Sequence, residues 1–216
     1  MIAGLHWLGH DTFRIDASGC CVYIDPWKLP AGSPPADVIL ITHDHYDHFS
    51  EEDIAKIARP GTVVVGPAPV TECLAGNESL VLHTLEAGQS TTAGAAIVTA
   101  VPAYNTNKYR RPGEHFHPRE AGYLGYVVEV DDRRIYHAGD TDVIPEMGGL
   151  VCDIALLPVG GTYTMTANEA ADACELLRAE LVVPMHYGDI VGGIKDAQRF
   201  AELCRLPVKI LPVERW

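Results

Sequence analysis

Apolar and polar positions alternate in short runs along the first part of the chain. Ile2 to Leu8, Thr12 to Asp16 and Cys20 to Asp25 read as strands, and turn residues such as Ala17-Ser18-Gly19 between them predict an antiparallel meander. Val38-Ile39-Leu40-Ile41 is continuously apolar, as expected of a strand covered on both faces. Ser50, followed by Asp53, predicts a capped helix through about Ala58, and Thr62 to Val65 reads as another buried strand.

The second half has the same style. Ala95 to Val101, Tyr123 to Val130 and Arg133 to His137 read as strands, the last two joined by an Asp131-Asp132 turn. Ile154 to Leu157 and Leu181 to Val183 are further strands. The capping-box pattern Thr166-x-x-Glu169 opens a helix, with Ala170, Ala171, Cys174 and Leu177 on one face. A last amphipathic helix carries Ile194, Ala197, Phe200, Ala201 and Cys204. Two strand-rich halves, each with helices, predict two sheets packed face to face with helices outside, in one domain over residues 1–216. Tyr104 to Gly122, with Pro112, Gly113 and Pro118, lacks a clear period, and a long loop often carries function.

Composition changes this picture little. Hydrophobic residues are 47% and charged residues 21%, an ordinary globular balance. The net charge of −13 counts against a nucleic-acid groove and against docking on anionic lipid, although bound metal would add local positive charge and leave room for a small anionic substrate. The N-terminus lacks a signal-peptide pattern, and no apolar run is long enough to span a membrane. Six scattered cysteines without C-x-x-C spacing read as buried thiols in a reducing cytoplasm. Cys20 and Cys21, adjacent on a strand, point to opposite faces.

The chemistry is concentrated at strand ends. Thr42-His43-Asp44-His45-Tyr46-Asp47-His48 follows a buried strand and holds three imidazoles and two carboxylates within six residues. Packing does not explain so many polar groups, whereas a metal ion compensates their burial. His43 and His45 alternate and reach one ion; Asp47 and His48, a turn later, reach a second. Tyr136-His137-Ala138-Gly139-Asp140-Thr141-Asp142 likewise places acids after a strand, with Asp140 suited to bridge two cations. Val183-Pro184-Met185-His186-Tyr187-Gly188 ends a strand on one histidine, which alone would read as a hydrogen-bonded core residue.

His43-x-His45-x-Asp47-His48, Gly139-Asp140-Thr141 and the late His186 together resemble the metallo-β-lactamase superfamily, in particular its branch of L-ascorbate-6-phosphate lactonases and other small metal-dependent hydrolases. The similarity runs from Gly9-His10 through Ile24-Asp25-Pro26 to Pro184-Met185-His186-Tyr187. It implies a four-layer αββα sandwich with two divalent ions at one edge of the sheets, zinc in the first instance and manganese as the alternative. His43 and His45 would hold the first ion, Asp47, His48 and His186 the second, and Asp140 both. Relatives usually add a third histidine to the first ion, but here the matching stretch Val101-Pro102-Ala103-Tyr104-Asn105-Thr106 offers Asn105. The expectation is therefore that Asn105 lies beside the first ion and that His117 or His115 completes its shell. Asp25 is the leading candidate to orient a ligand histidine, with His10 and Asp37 behind it, while His6, His83 and His137 read as structural.

The expected reaction is hydrolysis of a small ester, lactone or phosphodiester by a metal-bound hydroxide. Asp47 positions the nucleophile and accepts its proton, and His117 and Tyr187 are candidates to protonate the leaving group. Gly160-Gly161-Thr162-Tyr163 shapes the pocket or simply turns into the capped helix. Two alternatives stand beside this: a non-catalytic metal-binding or ligand-sensing protein, and an RNA-processing nuclease, the latter disfavoured by the acidic charge. The lactonase resemblance is compatible with a homo-oligomer. The reaction class is legible; the substrate is not.

Overall fold

The computed structural model describes residues 3–214, so Ile2, which opens the first predicted strand, lies outside the described residues. β1 (Leu5–Gly9), β2 (Thr12–Ala17) and β3 (Cys20–Ile24) form the antiparallel meander. The sheet continues in parallel through β4 (Val38–Leu40), β5 (Val63–Gly66) and β6 (Val81–Thr84). The second sheet begins with β7 (Ser90–Ala93) and β8 (Ala96–Pro102). A small separate hairpin follows, β9 (Tyr109–Arg111) and β10 (Glu114–His115). The sheet then resumes with β11 (Leu124–Val130), β12 (Arg133–His137), β13 (Val151–Pro158) and β14 (Arg178–Met185). Its spatial order is β14-β13-β12-β11-β8-β7, antiparallel on one side and parallel from β12 to β14.

Period-two alternation explains the layering. On β4, Val38 and Leu40 enter the core between the sheets with Val22, Val98 and Tyr126. Ile39 and Ile41 face the other way, toward Ile54 and Ile57 of α1 (Glu51–Ile57) and Val70 and Leu74 of α2 (Ala68–Leu74). Cys20 and Cys21 divide in the same manner between the two apolar clusters. On the far face, Ala170 and Ala173 of α3 (Ala167–Ala173) and Ala197 and Phe200 of α4 (Ile194–Leu203) join the core. The result is the αββα sandwich. Truncating Leu40, fully buried between the sheets, to Ala is expected to cost about 2–5 kcal/mol.

The local signals correspond to particular bonds. Ser50 accepts from the Asp53 backbone N–H at the start of α1, and Thr166 and Glu169 close a reciprocal capping box on α3. Asp131 and Asp132 both adopt positive φ, as a two-residue hairpin turn requires. α3 is shorter than its apolar pattern, since Cys174 already caps it. α2 and β7 escaped the reading. Gly66-Pro67-Ala68-Pro69 looks like a breaker, yet proline in a first turn forfeits no hydrogen bond. β7 is a Ser/Thr edge strand with no apolar alternation to betray it.

Candidate metal centre

The parallel strands end on one edge of the sandwich, and the polar clusters gather there. The loop after β4 brings Thr42 to His48, the loop after β12 brings Asp140, and the end of β14 brings His186. The β1–β2 turn contributes His10 and Asp11, and the β9–β10 hairpin leads into His117. Of these, His10, Asp11, His43, His48, His117, Asp140 and His186 are all buried.

His43, His45 and His117 converge first. His43 Nε2 lies 3.0 Å from His45 Nδ1, and His117 Nε2 lies 3.2 Å from the same atom. Ligands held at zinc–nitrogen distances in a tetrahedron stand about 3.3 Å apart, so this spacing suits three donors on one ion. The opposite ring nitrogens settle which atoms carry lone pairs. Thr42 Oγ1 gives its proton to Asp25 Oδ2 at 2.6 Å and so accepts from His43 Nδ1 at 3.0 Å. Asn105 Oδ1 faces His117 Nδ1 at 3.1 Å. Both Nε2 atoms are thereby left as donors to a metal.

The second cluster mixes nitrogen and oxygen. His48 donates from Nδ1 to Asp25 Oδ2 at 2.8 Å, and its buried Nε2 has no hydrogen-bond partner. Around that atom stand Asp11 Oδ2 and Asp140 Oδ1, each at 3.5 Å, and Asp47 Oδ2 at 3.8 Å. His186 Nε2 lies 3.2 Å from Asp140 Oδ2 and 3.7 Å from Asp11 Oδ2. Asp140 Oδ2 is also 3.2 Å from His117 Nε2, which places this one carboxylate between the two clusters.

Electrostatics separates the clusters as well. Burial and the neighbouring imidazoles hold His43 well below the ordinary histidine range, in the neutral form that ligates. Burial works against charge on His186 too, but Asp140 and Asp11 outweigh it and raise the group to about 9. His48 is raised well above its usual value, because Asp140 and Asp25 overcome its burial. Buried donors, orphaned lone pairs and clustered carboxylates fit a divalent cation, which displaces such protons on binding.

The backbone around these groups is unusual. His10, Asp25 and His186 have φ of 50°, 46° and 56°, a left-handed region that costs non-glycine residues about 1–3 kcal/mol each. Gly139 has φ +65°, and a Cβ there would stand 2.6 Å from the Leu124 carbonyl oxygen, so the turn into Asp140 requires glycine. At Gly160 a Cβ would meet the His186 carbonyl oxygen at 2.1 Å. That glycine lets the loop after β13 close over His186. His137 accepts from the Gly139 N–H at Nδ1 and therefore donates from Nε2 to the Asp11 carbonyl, pinning two site loops.

Several expected positions differ in detail. Asn105 is not placed as a ligand: its Oδ1 accepts from the His117 backbone N–H at 2.8 Å and faces the ring, and its Nδ2 donates to the Tyr163 carbonyl. It thus contacts both the backbone and the ring of His117, whose Nε2 stands among the histidine nitrogens of the first cluster. Tyr187 packs on Trp7, and its buried hydroxyl has no hydrogen-bond partner. It lines a cavity of about 650 Å³ with Trp7, His10, Trp27 and Lys28 and is not among the residues lining the cavity at His45 and His117. Asp37 is occupied with the Cys21 N–H and Arg59. His115 stacks on Tyr109 outside the clusters. Asp11 was not foreseen; a His-Asp turn between strands reads as solvated, and only the packing of His186 over it shows otherwise.

A cavity of about 400 Å³ opens onto the centre, lined among others by His45, Asp47, Arg110, Phe116, His117 and Tyr163. Asp47 is the most exposed of the three carboxylates around His48 Nε2, at 13% of its side chain. The Arg110 guanidinium sits 5.9 Å from the Phe116 ring centroid at the same cavity.

An αββα sandwich with histidines and aspartates at its strand ends defines a metallohydrolase class of protein. The chain matches the family model described as the beta-lactamase superfamily domain over residues 4–186, and it belongs to that family. It is similar to a UPF0173 metal-dependent hydrolase of Nitratidesulfovibrio vulgaris, 36% identical over 216 aligned positions that cover 91% of this chain and 84% of the relative. A second such hydrolase, from Methanopyrus kandleri, is 33% identical and covers 90% and 88%. Among solved structures, Igni18, a metallo hydrolase from Ignicoccus hospitalis, superposes with a TM-score of 0.76 at 26% identity, covering 98% of this chain and 95% of that one. No helix among the described residues is long and apolar enough to cross a membrane.

Proposed function

We propose that the chain is a dinuclear metal-dependent hydrolase acting on a small ester, lactone or phosphodiester. The observation that carries this reading is Asp140, whose one oxygen stands 3.2 Å from a histidine of each donor cluster. His43, His45 and His117 would hold one ion, and His48, His186 and Asp47 the other, with Asp140 common to both. Divalent ions held there, zinc or manganese, would lower the pKa of water and offset charge on the substrate oxygen.

The remaining work falls to the chain itself. Asp47 projects into the cavity with one oxygen 3.1 Å from His10 Nε2, an arrangement suited to orienting the attacking water and taking its proton. Phe116 and Tyr163 give the cavity apolar walls, and Arg110 offers the one guanidinium among its lining residues to an anionic substrate group. The test combines metal analysis with turnover. Protein purified without chelator should carry close to two equivalents and hydrolyse at least one member of an aryl ester, lactone and phosphodiester panel. Activity should vanish on chelation and return with zinc or manganese. Two tightly bound ions with no turnover on any of the panel would instead favour a non-catalytic metal-binding protein.

A further inference from the structure

Asp11 is a buried carboxylate without any hydrogen-bond partner. Both oxygens are shielded from solvent, and both lack a donor. Thr12 and Gly9 pair across a two-residue turn, His10-Asp11, which would ordinarily face water. Here it is sealed in place. His186 N–H and the Trp7 indole both donate to the His10 carbonyl, and His137 donates to the carbonyl of Asp11 itself. Folding thus places a carboxylate in an interior where nothing in the chain satisfies it, a costly arrangement unless something else does.

The basic groups within 4 Å of that carboxylate are all imidazoles: His48 Nε2 at 3.5 Å, His186 Nε2 at 3.7 Å and His10 Nε2 at 3.9 Å. These separations are too long for hydrogen bonds but right for donors arranged around one cation. The four groups, His10, Asp11, His48 and His186, have donor atoms lying within 4.8 Å of one another. From this geometry we infer that Asp11 is a direct ligand of the second ion, an additional carboxylate facing His48 and His186 from the β1–β2 turn. The inference rests on the dinuclear reading above. It makes the two sites chemically unequal, with three imidazoles on one side and two imidazoles with up to three carboxylates on the other. Imidazole suits zinc, and added carboxylate favours harder ions such as manganese. The second site is therefore the manganese-tolerant one. Asp11 also brings the acids around the two dications to three, leaving less uncompensated charge in the buried centre.

The test is a titration of chelator-treated protein with Zn²⁺ and with Mn²⁺, on wild type and on Asp11→Asn, which preserves shape and removes charge. Wild type is expected to bind two equivalents. Asp11→Asn should keep one tight ion at His43, His45 and His117, which also reports that it is folded. Its second equivalent should weaken by at least about 10–100-fold, the effect seen when even groups behind the ligands are removed. The loss should be greater for Mn²⁺ than for Zn²⁺. If Asp11→Asn binds both ions as tightly as wild type, Asp11 is not a ligand, and the dinuclear reading survives. If wild type itself binds no metal, both readings fall. Should the variant not fold, a crystal structure of the Mn²⁺-loaded wild type decides. An Asp11 oxygen about 2.0–2.3 Å from the second ion supports the assignment, and one beyond hydrogen-bonding distance overturns it.

Discussion

The two donor clusters are assembled by opposite strategies. The nitrogen cluster takes two of its three histidines from one loop, His43 and His45, and borrows the third, His117, from the segment that follows the β9–β10 hairpin. The mixed cluster draws its members from four separate segments: the β1–β2 turn, His48, the loop after β12 and the end of β14. One ring of each cluster rests on a common support. His48 and His43 share the Asp25–Thr42 pair, which lies just past the ends of β3 and β4. His117 depends on Asn105 in a loop outside the sheets. The cluster with the more local motif thus adds a support outside the sheets, through its third ring. The comparison teaches that damage to one cluster reaches the other through shared groups, Asp140 between the donors and the Asp25–Thr42 pair behind them.

Asp140→Ala should have the largest effect. Removing the oxygen common to His117 and His186 is expected to lower metal content below two equivalents. Turnover should fall by more than the roughly 10²–10⁴-fold assigned to a lost general base. Full stoichiometry in this variant, measured by plasma mass spectrometry, would show that the clusters are independent.

Asp47→Ala comes next and separates catalysis from binding. Asp47 faces the cavity while Asp11 and Asp140 are more deeply buried. Turnover should drop by about 10²–10⁴-fold, with a smaller change in metal affinity. A protein that only senses metal would show the reverse: altered affinity, with no catalytic rate to lose.

Asn105→Ala sharpens the comparison between clusters. The His117 ring loses the oxygen that holds its Nδ1–H, and its backbone N–H loses the same acceptor. Affinity at the nitrogen cluster should fall by about 10–100-fold while the mixed cluster keeps its ion. Competitive chelation with a chromophoric chelator measures the two steps separately. An equal loss at both sites would mean that Asn105 supports the fold as a whole.

Legibility in the sequence followed locality. The β4 loop declared itself because three histidines and two acids crowd into six positions, and the layers followed because Val38 to Ile41 alternates between two apolar clusters. His186 and Asp140 were readable from their places at strand ends, together with the family resemblance. Asp11 was not readable, because its burial depends on a contact between residues at opposite ends of the chain, His10 and His186. The exchange of Asn105 from ligand to support for His117 was hidden for a similar reason. The pairing that decides it is a backbone bridge across an aperiodic loop. The β9–β10 hairpin within that loop has exposed or half-buried residues and so shows no alternation to read.

The smallest effect is expected where that loop is tied down. Glu169, in the capping box of α3, accepts from Lys108 at 2.8 Å and from Asn107, so one side chain both caps a helix and anchors the segment between Asn105 and His117. Burial works to raise its carboxyl, but Lys108, Thr166 and Asn107 prevail and hold it at about 2. A carboxylate depressed below its unfolded value, roughly 4.3, adds stability that is complete above that value and is lost as pH falls toward the folded one. Glu169→Gln should therefore lower the melting temperature at pH 7 by a few degrees, in line with about 0.5–2 kcal/mol for a cap. The gap between variant and wild type should close as the pH is lowered from about 5 toward 2. In the metal-loaded protein the loss should fall on the nitrogen cluster, whose His117 hangs on this anchored loop, and spare the mixed one. A melting difference that stays constant across that acid range would show that the Glu169 charge contributes nothing and that only its shape matters.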